Sequence, residues 1–191
     1  MILILRWYIV RLDSKRIYIR RMEKEDLEAL LDLRLRNRHF LEPFEPIVLD
    51  SHYTVEGQQE ILEKVFHNWD ADFGYGFGIF LTNNDRLIGR VNLSNVARGA
   101  WESCTLGYFI DEQCNGQGFA TEAVDLAVGF AFGPAELHRV QAAVMPRNAG
   151  SIRVLEKVGF RYEGFSEFYL KINGVWEDHN LYSITRERWN S

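Results

Sequence analysis

The chain has 191 residues, 47% hydrophobic and 26% charged, the balance of an ordinary globular protein with enough chain for one sizeable core and too little for two. A net charge of −5 argues against a general nucleic-acid binder, which is usually basic, and no stretch is apolar and long enough to span a membrane. Cys104 and Cys114 are the only cysteines and carry no paired-cysteine motif, so they read as reduced thiols of a cytoplasmic protein and imply no metal site.

The opening MILILRWYIV is apolar but short, broken by Arg6 and followed by Arg11, Lys15 and Arg16 instead of a small-residue cleavage site. Residues 1–15 are therefore expected as an extra edge strand or a loosely ordered tail, not a signal peptide. Ile17 and Ile19 predict a first strand, and Leu27, Leu30, Leu31 and Leu35 lie at helical spacing over residues 23–36. In NRHFLEPFEP (37–46), Pro43 and Pro46 predict an extended connection. Thr54 is placed to cap a helix reaching about Trp69, with Ile61, Leu62, Val65 and Phe66 on its buried face. Three strands follow at 75–82, 86–94 and 104–110, and TNNDR between the first two supplies hairpin turn chemistry. This predicts an antiparallel meander at the centre of one α+β domain spanning residues 1–191, with no repeat or boundary in sight.

The next segment, QCNGQGFATEA (113–123), sets Gly116 and Gly118 two apart at the mouth of a helix whose apolar face is Phe119, Ala123, Leu126, Ala127, Phe130 and Ala131. Gly133-Pro134 ends that helix. A strand, a glycine turn and a helix N-terminus form an anion site, because free N–H groups and the helix dipole point at one spot and glycine removes the Cβ that would block approach. Two glycines alone are more often a simple turn. A further unit, HRVQAAVMPRNAGSIRVLEKVGF (138–160), runs from a strand at Val140–Val144 to Asn148 as helix N-cap; Ile152, Leu155 and Val158 form its stripe and Gly159 its stop.

Gln113, Gly116 and Gly118 fit the pattern Q/R-x-x-G-x-G/A, which resembles the acetyl-coenzyme A loop of the GNAT superfamily of N-acetyltransferases. Asn148 through Gly159-Phe160 resembles that superfamily's second hallmark block. NRHFLEPFEP, SNVARG (94–99), MPRN and EGFSEFYLKINGVWEDH (163–179) are similar to the ribosomal-protein-alanine N-acetyltransferases of the RimJ/RimL branch. The resemblance implies a three-layer fold with a mixed, mostly antiparallel sheet flanked by helices and splayed where the coenzyme enters. It implies acetyl-coenzyme A as co-substrate, held by Phe109, Ile110, Gln113, Gly116, Gln117, Gly118, Phe119, Ala120, Asn148 and Ser151. It also implies direct acetyl transfer to the N-terminal α-amine, with alanine first, of a ribosomal protein, a small-subunit protein being expected. No direct nucleic-acid or membrane partner follows from it.

The catalytic residues are less regular. Where many relatives carry a tyrosine in the second block's helix, this chain has Leu155, and Ser151 is carried over as the donor to the departing thiolate. Where many carry a glutamate on the strand before the glycine loop, it has Thr105. Glu45 and Glu167 are expected on the acceptor side, Glu102 is a further carboxylate, and His39, His138 and His179 have suitable chemistry for a base, which stays unassigned. Phe40, Phe44, Tyr108 and Trp176 are candidates to shape the acceptor slot. Two other functions stay open from the residues: acetylation of a small amine, polyamine or antibiotic, and a non-catalytic module that only binds the coenzyme.

Overall fold

The computed structural model describes residues 11–189. In chain order the strands are β1 (Arg11–Asp13), β2 (Ile17–Arg21), β3 (Tyr75–Leu81), β4 (Leu87–Ala97), β5 (Ser103–Ile110), β6 (Arg139–Val144), β7 (Arg161–Ile172) and β8 (Val175–Thr185). The helices are α1 (Leu27–Arg36), α2 (Arg38–Leu41), α3 (Val55–Asp70), α4 (Phe119–Phe132), α5 (Ala149–Val158) and α6 (Arg186–Trp189). Among the described residues one sheet forms, in the order β1-β2-β3-β4-β5-β6-β8-β7, antiparallel throughout except for the parallel pair β5–β6. β1 is its outer strand; residues 1–10 of the expected edge strand or tail lie outside the described residues.

Because neighbouring strand residues in register share a face, the pairing sorts the core into two layers. Ile19, Ile79, Val91, Leu93 and Leu106 join one cluster with Ala127, Phe130 and Leu155 of α4 and α5. Tyr18 and Phe80 face the other way, onto Leu30, Leu33 and Leu62 of α1 and α3. Helices thus cover both faces of a mixed sheet, the architecture the resemblance implies.

The local signals explain most element ends. The Thr54 side chain accepts from the Gly57 N–H, and the Asn148 side chain accepts from the Ser151 N–H, so one orphan amide at each of those helix starts has a partner. Gly159 closes α5 in the left-handed conformation at φ 97°. Two expectations are corrected. Residues 38–44 are not extended: α2 is followed by a 3-10 turn over Glu42–Phe44, because Pro43 stands in that turn's first positions, where its missing N–H costs nothing. On α1 the buried stripe uses Leu33 in place of Leu35, which is 50% exposed.

One irregularity positions everything that follows. β5 and β6 pair only at Ser103–Arg139, Cys104–Val140 and Thr105–Gln141; beyond that, β5 stays with β4 and β6 stays with β8. The sheet opens there into a gap between Leu106–Ile110 and Ala142–Val144.

Candidate active site

A cleft of about 530 Å³ lies at this opening, lined on one side by Tyr108, Phe109 and Ile110 of β5 and on the other by the first turns of α5. Phe40, Leu41 and Phe44 close it from the α2 region, and the glycine turn with the start of α4 forms its far end.

The glycine turn is built to expose backbone N–H groups. Gly116 sits at φ 74° and Gly118 at φ 87°, left-handed values that favour glycine, and a Cβ at Gly116 would project into empty space. The amides of residues 112–115 are spent inside the protein. Glu112 N–H donates to Asn37 Oδ1 at 2.8 Å, Gln113 N–H to Asp111 Oδ1 at 3.3 Å, Cys114 N–H to Asp111 O at 2.8 Å, and Asn115 N–H to Glu112 O at 3.2 Å. Among the described residues the amides of Gly116 through Thr121 take no acceptor, and they stand at the N-terminus of a fourteen-residue helix. That arrangement fits a pyrophosphate, and no carboxylate lines the cleft to repel one, whereas Arg153 and Lys157 do line it. Gln113 therefore offers no free amide, and neither it nor Gln117 lines the cleft; the Gln117 side chain donates to Gln113 O at 3.2 Å.

The turn is held from behind by Asp111, only 1% exposed. Its carboxylate accepts from Arg36 at 3.0 Å and Arg86 at 2.6 Å. Burial alone would raise its pKa, but these two guanidinium groups and the Gln113 amide hold the carboxyl below the usual carboxylate range. Buried Asn37, between α1 and α2, donates to Leu33 O at 2.8 Å while accepting from Glu112, so one amide side chain joins the glycine turn to the segment carrying Phe40 and Phe44.

Ser151 faces the cleft from α5, and its Oγ lies 2.8 Å from the Tyr108 hydroxyl, which also reaches Ser151 O at 3.2 Å. Burial pushes the Tyr108 phenol up to about 12, against the opposing Ser151 hydrogen bond, so it remains a neutral hydroxyl at any physiological pH. Tyr108 was expected as a wall of the acceptor slot; its pairing with Ser151 was not anticipated. The legible signal is alternation: Leu106, Tyr108 and Ile110 share the strand face that meets α5. Leu155, at the position where the resemblance points to a tyrosine in many relatives, is fully buried core.

The remaining expected residues scatter. Glu45 does not open to the cleft but accepts from Arg34 at 2.8 and 2.6 Å, both oxygens engaged. Glu167 is exposed on β7, outside the cleft lining, as is Trp176 at 57% exposure. Glu102 is exposed, and its carbonyl accepts from the His138 and Arg139 amides. His39 is exposed, His138 pairs with Glu187 at 2.9 Å, and buried His179 contacts Glu177 O at 2.9 Å; none of the three lines the cleft. The β7–β8 hairpin nevertheless reaches the segment that carries Glu45, since Asn173 N–H donates to Glu45 O at 2.9 Å. Its Asn173-Gly174 turn, at φ 44° and 82°, is an Asn-Gly hairpin signal that the sequence carries in plain sight. Among the described residues no group of three or more histidines, cysteines or carboxylates is arranged to hold a metal, and no helix is long and apolar enough to cross a membrane.

Comparison with known proteins agrees with this geometry. A family model described as an acetyltransferase (GNAT) domain matches residues 16–161. The chain is 49% identical over 173 residues to a probable N-acetyltransferase, YjcK, of Bacillus subtilis, covering 91% of this chain and 96% of that one. It is 37% identical over 182 residues to the ribosomal protein uS5-alanine N-acetyltransferase of Escherichia coli, covering 94% and 93%. The solved structure of Mycobacterium smegmatis RimJ in complex with CoA-disulfide superposes with a TM-score of 0.89 at 30% identity, covering 96% and 89%. The chain therefore belongs to the GNAT acetyltransferases, enzymes that move the acetyl group of acetyl-coenzyme A onto an amine.

Proposed function

We propose that this enzyme acetylates the free α-amino group of a ribosomal protein, a small-subunit protein beginning with alanine, in the cytoplasm where such acceptors are made. The observation that carries the reading is a cleft without a carboxylate base: none lines it, Thr105 occupies the strand position where a glutamate was sought, and Glu45 is engaged by Arg34. Such a site suits an amine that is already partly neutral. An α-amine with a pKa of roughly 7.7–8.0 is about one-tenth neutral at pH 7, whereas a lysine near 10.4 is neutral in about one molecule in a few thousand. The 37% identity to the uS5-alanine enzyme supports the same acceptor.

In this reading the amides of Gly116 to Thr121, with Phe119 and Ala120 among them, receive the pyrophosphate. Phe109 and Ile110 flank the pantetheine arm together with Asn148. As the thioester C–S bond breaks, negative charge gathers on sulfur, and the Ser151 hydroxyl, backed by Tyr108, donates to it. The loop around Glu45 and the hairpin around Glu167 approach the acceptor chain. An alanine-starting peptide with an internal lysine, offered beside an N-terminally blocked copy, tests the reading. The free peptide acquires one acetyl group at its terminus and the blocked one stays unmodified across moderate pH. Equal modification of the blocked peptide through lysine overturns it; reaction only with a polyamine moves the acceptor to small amines, and no transfer at all leaves a coenzyme-binding module.

A further inference from the structure

The β4 strand carries a charge that the transfer reaction leaves unused. Arg90 lies in the run LIGRVNL, paired in register with Phe109 of β5 and Gly78 of β3, on the sheet face covered by α1 and α3. It is only 9% exposed, and among the described residues the one hydrogen bond of its side chain is a 3.3 Å contact to Asn92 Oδ1. Among the described residues its Nε finds no acceptor, and neither does the Nε of buried Arg34 beside it. The charges that act on Arg90 are those of Arg34 and Glu45, and Glu45 already serves Arg34 with both oxygens. Two buried guanidinium groups thus stand near one carboxylate, which pairs with Arg34. Burial first, and Arg34 second, lower the Arg90 pKa to about 10, which still leaves it cationic at neutral pH. A buried cation without an ion pair is destabilising, and among the described residues no carboxylate pairs with Arg90 directly.

The surroundings lead outward from the guanidinium. Asn92, to which Arg90 donates, is half-buried, and Gly107 directly across from it on β5 is exposed, with nothing within 4 Å of where a Cβ would stand. The open strip over Gly107 and Asn92 adjoins Phe109, which borders the cleft; Tyr108, the next residue along β5, turns its side chain to the opposite face. An acceptor amine reaching the Tyr108–Ser151 pair from this face passes through the opening beside β5, where its pairing with β6 has ended, and carries its neighbouring atoms over the strip.

We propose that Arg90, oriented by Asn92, is an anion subsite of the acceptor groove, recognising a carboxylate within a residue or two of the reacting amine. The α-amine acceptor then has an acidic side chain just after its first residue; this deepens, and rests on, the terminal-amine reading. The guanidinium supplies the paired N–H donors that a carboxylate accepts in a plane, a geometry a lysine would not reproduce.

Matched peptides test it in the unaltered enzyme: Ala-Glu against Ala-Gln, and Ala-Asp against Ala-Asn, with identical continuations. The acidic member of each pair is expected to show about tenfold higher kcat/KM, expressed in KM, since hydrogen bonds to a charged group are the strong ones. In Arg90→Gln that preference collapses to near unity. Equal kcat/KM for acid and amide in the unaltered enzyme, or a preference that survives in Arg90→Gln, overturns the proposal. If Arg90→Gln does not fold, Arg90→Lys takes its place, with a weakened preference expected and an unchanged one contradicting the assignment. If no alanine peptide is acetylated, the terminal-amine reading has failed, and succinate binding to the 15N-labelled protein decides the subsite alone. A saturable shift of the Arg90 Nε–H signal by succinate and not by succinamide supports it; no shift refutes it.

Discussion

Ser151 and Tyr108 share one hydrogen bond, and which hydroxyl gives the proton decides what the pair can do. If Tyr108 donates to Ser151 Oγ, the serine proton is left for a group in the cleft; if Tyr108 turns to Ser151 O at 3.2 Å, the serine can lend its proton back to the phenol. Charge developing on a departing thiolate favours the first arrangement, because only there does a hydroxyl point at it. Removing the donor should therefore show in turnover more than in binding. Ser151→Ala is expected to lower kcat by about ten- to a hundredfold, with the acetyl-coenzyme A KM within a few-fold of the parent. Tyr108→Phe should give a smaller loss, since it removes the backing hydroxyl and keeps the one in front. The pH profile adds an independent check. Burial holds the phenol near 12, so its proton stays on through the alkaline range and kcat should show no Tyr108-dependent decline up to about pH 10. An alkaline limb near pH 9 that vanishes in Tyr108→Phe would mean the phenol ionises in the working range and the pair acts differently.

At the level of elements, the glycine turn works because other segments hold it. Asp111 gathers Arg36 of α1 and Arg86 ahead of β4, while Asn37 ties the Glu112 amide to the α1–α2 junction. Asp111→Asn weakens both ion pairs and loosens the turn without touching the cleft lining, so acetyl-coenzyme A KM is expected to rise about tenfold with kcat changed less. Linkage gives a second readout. A carboxyl whose folded pKa lies below its unfolded value near 3.9 contributes stability that is fully present above that value and is lost as pH falls through the folded one. The parent should thus lose stability more steeply than Asp111→Asn below about pH 4, and parallel acid-unfolding curves would show the ion pairs to be energetically idle. How far such parts are legible in the sequence depends on the range of the forces involved. Caps and stops at Thr54, Asn148 and Gly159 act within one turn, so a local reading finds them. The Arg36–Asp111 and Arg34–Glu45 pairs join segments through the fold, and the sequence marks them only as charged residues beside apolar runs. Arg90 offers the stronger clue, a lone cation inside a strand otherwise buried on both sides. The short helical turns at 38–44 were obscured for another reason: proline there begins a turn, and a sequence reading takes it for a break.

Across the whole molecule the decisive feature is a sheet that is continuous at one end and open at the other. Three residue pairs join β5 to β6, after which the backbone groups of residues 106–110 and 142–144 that face the gap have no strand partner across it. Half of the sheet, β1 to β5, and the other half, β6 to β8, then meet through that short parallel seam and through the helices packed over it, notably α4 against α5. The pantetheine arm of acetyl-coenzyme A, an extended segment carrying amide groups, can fill the gap as a strand would, and its binding should stiffen the junction as well as occupy the cleft. Any ligand that binds only the folded state stabilises it by RT ln(1 + [L]/Kd), about 2.7 kcal/mol at a hundredfold excess over Kd. For a chain of this size that is a rise in melting temperature of about 5–10 °C. A melting shift alone does not locate the ligand, whereas hydrogen exchange does. Gap-facing amides in 106–110 and 142–144 should exchange readily in the free enzyme and become protected with acetyl-coenzyme A, while β2 and β3, fully paired already, change little. Protection in the gap that fails to appear while the melting temperature still rises would place the coenzyme elsewhere on the molecule. Protection spread evenly over every strand would instead mean that binding suppresses global unfolding only, and that the open end of the sheet is not where the two halves are joined.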